Sequence, residues 1–174
     1  MQTDFADRLA RDATAAGLSH IVVVQDLDQP VERVGRVLSG QETGWLGDPI
    51  DGTDAPAGTR RYLADIGLQL GAGSPGILRK AAFVDLGSPR RVGAGFEAQI
   101  GWRAATLAPL FPVFAGRLAA AEGELRIEGW YAPPGGVIGR VADRMLLNLA
   151  ARATARWLLA TLVDAVAGLE QERR

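Results

Sequence analysis

The feature that most constrains this chain is its last apolar stretch, from Ile138 to Ala167, which has no proline and is dominated by alanine, leucine and arginine. That composition favours helix throughout, and at 1.5 Å per residue such a helix would run roughly 45 Å. Val141, Met145, Leu149, Ala153 and Ala160 are expected to mark its buried side, with Leu146, Trp157 and Leu158 widening the apolar surface. Asn148, Arg152, Arg156 and Asp164 interrupt the stretch too often for a membrane span. A helix that is apolar over so much of its circumference needs other elements packed around it.

The preceding residues read as those elements. Ser19–Asp26 holds the β-branched run Ile21, Val22, Val23, Val24, which suits a strand. Asp28 is expected to cap a short helix over Pro30–Leu38 with Val31, Val34 and Leu38 on one side, and Gly40 to end it. Tyr62–Leu70, Ile77–Leu86, Val92–Trp102, Val113–Ala121 and Glu124–Tyr131 are strand-like. In the third of these, Val92, Ala94, Phe96, Ala98, Ile100 and Trp102 share one face. Turn residues at Gly71–Gly76, Gly87–Arg90 and Glu122–Gly123 leave no room for crossover helices, so hairpins join the strands. The expected fold class is α+β, a curved antiparallel sheet of about six or seven strands wrapped around a long C-terminal helix. At 174 residues, this is one domain over 19–174. A helical extension over 1–18 precedes it, with Phe5, Leu9 and Ala13 at four-residue spacing and Gly17 as its stop.

Charge and composition remove several function classes. A net charge of -1 gives no general attraction for nucleic acid or anionic membrane. Without cysteine there are no disulfides, thiolate nucleophiles or sulfur-based zinc sites. His20 is the only histidine and Lys80 the only lysine. Met1–Arg11 carries Asp4 and Asp7 without an apolar run, so the expectation is a cytoplasmic protein with no stable membrane insertion. No cofactor is expected, and a homodimer is left open.

Trp102, then Leu110-Phe111-Pro112, then Gly129-Trp130-Tyr131-Ala132-Pro133-Pro134-Gly135, then Asp143, together with the order of the elements, resembles the START-like helix-grip superfamily (SRPBCC). The likeness runs from about His20 to Leu169 and is to its actinobacterial cyclase- or dehydrase-like members. The resemblance implies a cavity between the concave sheet face and the long helix, holding a small hydrophobic molecule such as a lipid or a polyketide-like aromatic. By strand alternation Tyr62, Ile66, Phe96, Ile100, Trp102 and Tyr131 would line it. The same rows would equally serve as a filled core. Burying about 300 Å² of guest would give about 7 kcal/mol before association costs. The alternative is a polyketide cyclase or dehydratase, in which Tyr131, Arg144 and Asn148 at the cavity end polarise a carbonyl or steady an enolate.

Three further motifs bear on chemistry. Asp48-Pro49-Ile50-Asp51-Gly52-Thr53 resembles the metal-binding signature of the inositol monophosphatase family. Asp48 and Asp51 would there hold Mg²⁺ for phosphate-ester hydrolysis, but that family's other motifs are missing, and a solvated acidic loop is the structural alternative. Gly71-Ala72-Gly73-Ser74-Pro75-Gly76 fits the dinucleotide glycine pattern, yet a strand rather than a helix follows it, so a hairpin turn is expected. His20 is expected to be a partly exposed residue at the start of the first strand, with no sequence neighbour to orient it as a base. No catalytic residue is assigned.

Overall fold

The computed structural model describes residues 18–41, 44–50, 55–68, 78–105, 113–132 and 141–171, with side chains left aside at 68, 78, 141–146 and 169–171. In chain order the elements are β1 (Ser19–Leu27), α1 (Val31–Ser39), β2 (Pro49–Ile50), β3 (Thr59–Leu68), β4 (Leu78–Gly87), β5 (Arg90–Val92), β6 (Gly95–Ala104), β7 (Val113–Ala121), β8 (Gly123–Ala132) and α2 (Val141–Gln171). The fold is α+β, with one large antiparallel sheet and a long C-terminal helix. The sheet has eight strands in the order β1-β8-β7-β6-β4-β3-β2, and β5 pairs with β6 beside β4. Every pairing is antiparallel. The expected helix over 1–18 and the turn over 71–76 lie outside the described residues.

Two short strands, β2 and β5, account for the count of eight rather than six or seven. The uninterrupted strand expected from Val92 to Trp102 is broken at its start. Gly93 adopts a left-handed φ of 59°, Val92 pairs back onto Gly95, and β5 and β6 become two arms of a hairpin. Val92, at 45% exposure, and the exposed Ala94 therefore do not continue the buried row. Alternation persists across a two-residue turn, so the period alone could not reveal it. From Phe96 onward the alternation holds, as it does on β8, where Leu125, Ile127 and Tyr131 are buried and Glu124, Arg126 and Glu128 face the other way.

Helix α1 buries Val31, Val34, Val37 and Leu38. Its N-cap is Pro30 rather than Asp28, and no side chain caps it; the proline ring already sets a φ of -56°, close to helical. At its other end Gly40 takes a left-handed φ of 72°, as expected. There Arg60 of β3 donates to the carbonyls of Leu38 (2.7 Å) and Ser39 (3.2 Å), a cation placed against the negative end of the helix dipole.

Helix α2 packs on β1, β3, β8 and α1. Its buried side is Leu147, Ala150, Ala151, Thr154, Ala155, Leu158, Leu159, Leu162 and Val166. This corrects the expected phase, because Leu149 is 47% exposed and Ala160 is exposed. Apolar residues occur on all sides of this helix, so no single stripe in the sequence marks the packed one. Thr154 satisfies its buried hydroxyl by donating to the Ala150 carbonyl, 2.9 Å away. The open edge of β1 is covered by Arg152, whose Nη1 donates to the Val22 carbonyl at 3.2 Å.

Candidate functional site

The strands place alternate residues on an inner, core-facing side and an outer side. Strand register shows which inner residues lie abreast. Tyr62 of β3 is opposite Val84, Val84 opposite Trp102, Trp102 opposite Phe114, Phe114 opposite Tyr131, and Tyr131 opposite Ser19 of β1. Tyr62, Trp102 and Tyr131, expected as lining from alternation alone, thus share one transverse row across the sheet. All three are at most 5% exposed.

At the centre of the row the Trp102 and Phe114 rings stack, with centroids 3.8 Å apart and planes 10° from parallel. The stack depends on glycine in the next row. Gly116 and Gly129 are paired, and a Cβ on either would come within 2.7 Å of the Phe114 ring. Phe114 was not expected in the lining, although its place beside Val113 at the start of β7 is visible once the register is known.

The remaining expected residues are spread along the inner face. Ile100 lies one row from Trp102 and is buried, while Ile66, fully buried, lies two rows to the other side of Tyr62, opposite Lys80. Phe96 sits at the far end under α1, where a Cβ on Gly35 would meet its ring at 2.6 Å, and the Arg91 guanidinium lies 5.3 Å from its centre. Phe96 is therefore roofed by α1 rather than grouped with the row. Asn148 is half-buried on α2, and its Oδ1 accepts from Arg152 Nε at 2.8 Å, which ties it to the β1 edge. Arg144 lies on α2, but its side chain is outside the described residues.

The polar atoms of the inner face are few. Trp102 Nε1 is buried and has no hydrogen-bond partner, and neither do the Tyr62 and Tyr131 hydroxyls among the described residues. Trp45 Nε1, in the segment before β2, is also buried and unpartnered, and its ring packs on the core beside the buried Leu46. Lys80 is half-buried, belongs to the inner-facing set of β4, and has no ion-pair partner among the described residues. The sequence marked it only as the lone lysine.

The outer face is different. Glu128 gathers His20 Nε2 (3.7 Å), Arg117 (3.7 Å) and Arg126 (3.0 Å), and the His20 ring lies 4.8 Å from that of Trp130. The groups that orient His20 thus come from β8, far along the chain. A shallow depression of ≈ 400 Å³ opens here, lined by Glu97, Arg117, Ala119, Arg126 and Glu128. Its two arginines face two glutamates, so it offers no net charge to a ligand. Of the expected magnesium loop, Asp48 is exposed and Asp51 lies outside the described residues. Among the described residues no cluster of three or more acidic or histidine groups is placed to hold a metal ion. Nor is any helix among them long and apolar enough to cross a membrane.

The chain matches no protein-family model and no curated protein sequence. Among solved structures it is similar to TTHA0849 from Thermus thermophilus, at 14% identity and a TM-score of 0.49, over 87% of this chain and 99% of that one.

Proposed function

We propose that this chain is a START-like helix-grip protein of the cytoplasm that binds a small hydrophobic ligand, a lipid or a polyketide-like aromatic, between the inner sheet face and α2. The observation that carries the reading is the cover over the inner face. One helix packs on both β1 and β3, which stand near opposite ends of the strand order. Helix α2 packs on both, while α1 is the helix that packs on β6 and β7, an arrangement that favours a sheet curved around α2 with its middle strands farthest from it. The stacked Trp102 and Phe114 lie on those two strands. An apolar guest there parts the two rings, each 2% exposed, and gains area burial and ring stacking. Asn148, the helix group expected to serve a cyclase or dehydratase, has its carbonyl oxygen engaged by Arg152, which favours binding over catalysis.

Thermal unfolding against a panel of fatty acids and polycyclic aromatics tests the reading. A ligand at 100 times its Kd stabilises the folded chain by about 2.7 kcal/mol, and the midpoint rises accordingly. A midpoint unmoved by every member of the panel would sink the proposal.

A further inference from the structure

We infer that the free edge of β1 is where two copies of this chain join, antiparallel and about a two-fold axis at Val23, into one continuous sheet. β1 ends the strand order, and among the described residues no strand lies beyond it. Alternate residues of an antiparallel strand turn their N–H and C=O to one side and the rest to the other. A Cβ on Gly116 of β7 would meet the Glu128 carbonyl oxygen, so Glu128 turns its backbone toward β7, and Val22 opposite it turns away from β8. His20, Val22, Val24 and Asp26 therefore present their N–H and C=O groups to the free edge. Among the described residues these groups meet one contact, Arg152 on the Val22 carbonyl, and that oxygen keeps a second lone pair. Nothing else blunts the edge: β1 reads Ser-His-Ile-Val-Val-Val-Gln-Asp-Leu, without proline or lysine, and pairs with β8 unbroken over its 9 residues.

The order of the side chains points to a second copy as the occupant. Val23 is the middle residue of Ser19–Leu27, so an antiparallel copy turned about it uses the whole strand. Val22 then lies opposite the partner's Val24, and His20 opposite the partner's Asp26. Two-fold registers centred on Val22 or Val24 shorten the ladder and lose the second pair. Val24, at 49% exposure, gains a β-branched neighbour across the axis. Charge adds to this. On β8 Asp26 faces Glu124; both are exposed, and neither makes an ion pair or hydrogen bond among the described residues. Like charges directly opposite each other destabilise a strand pair, and a donor beside Asp26 offsets that. His20 Nε2 lies 3.7 Å from Glu128, which leaves Nδ1 for the partner's Asp26. The two-fold axis repeats the contact at both ends of the interface.

Sedimentation equilibrium on the full chain across micromolar concentrations is expected to show monomer and dimer in exchange. Val24→Pro removes an edge-facing N–H, a change that edge strands tolerate, and should raise the dimer Kd roughly tenfold or more. His20→Asp and Asp26→Arg test the register. The first sets two carboxylates opposite each other and the second sets His20 against a guanidinium, so each alone should weaken the dimer by roughly tenfold. An equimolar mixture of these two variants brings the introduced charges together and should restore dimerisation. Should Val24→Pro fail to fold, the mixing experiment decides, since His20 and Asp26 are both exposed. A chain that stays monomeric throughout overturns the inference, whatever else then covers the edge. So does a dimer that Val24→Pro leaves intact, or one indifferent to both charge changes, because its contact lies elsewhere.

Discussion

On the outer face of the sheet Arg61 gives Asp85 two hydrogen bonds, at 2.7 and 2.8 Å, while on the inner face of the same sheet Trp102 leaves its Nε1–H unmatched. The Arg61 guanidinium also lies 5.3 Å from the centre of Phe83, and Arg103 lies 5.1 Å from that ring. Farther across, Glu97 holds Arg90, and Glu128 holds Arg126 and Arg117. The outer face thus satisfies its charged groups largely within itself, leaving Arg126 Nε as a buried exception. The inner face has almost no charge, and Trp102 Nε1–H is enclosed there without an acceptor. What differs between the two is how a polar atom is met: outside it is paired and ties strands together, and inside the indole N–H is buried without a partner.

That contrast can be broken by mutation. Asp85→Ala should cost about 3 to 5 kcal/mol in denaturant unfolding, because Arg61 stays buried, at 4% side-chain exposure, without its carboxylate. The neighbouring pair Arg79–Asp65, at 74% and 56% exposure, provides the control: Asp65→Ala should cost under about 1 kcal/mol. Similar losses for both would mean that burial does not set the strength of the outer pairs. Over the inner face, Leu158→Ala on the fully buried side of α2 should cost about 2 to 5 kcal/mol. Leu149→Ala, on the exposed side, should stay near 0.5 kcal/mol, roughly the surface norm, and a reversal of that order would place the helix in the wrong phase. Gly129→Ala is the finest probe. Its new methyl meets backbone first, the Ala115 carbonyl oxygen at 2.4 Å and Gly116 Cα at 2.5 Å, and then the Phe114 ring at 2.7 Å, so a loss of about 3 kcal/mol is expected, together with weaker uptake of any aromatic guest. If stability falls while aromatic binding is unchanged, the Trp102–Phe114 stack is not part of the guest's seat.

Much of the framework was legible from local pattern. The strands β7 and β8, with their turn at Glu122 and Gly123, follow from alternation and turn chemistry, and so do the buried residues of α1 and its stop at Gly40. The misses share a cause, in that each needed information from a distant segment. Leu149 looked like a core residue because leucine and alanine recur on every side of α2, and only the neighbours decide which side is packed. Asn148 looked available to a ligand until Arg152 and the β1 edge were placed beside it. His20 looked isolated because Glu128 and Trp130 reach it through strand pairing rather than through the chain. Lys80 drew notice only for its rarity, and its inner-facing position depends on the register with Ile66.

By itself, then, the amino-acid sequence determined which segments are strands and which are helices, and which face of most strands is apolar, since both properties are periodic and local. Tertiary structure alone decided that Tyr62, Trp102 and Tyr131 lie abreast, that Arg61 finds Asp85, and that Trp102 Nε1–H finds no acceptor. The physical reason is that register and partnership are relations between segments distant in the chain, and a hydrogen bond exists only when both of its ends arrive at the same place.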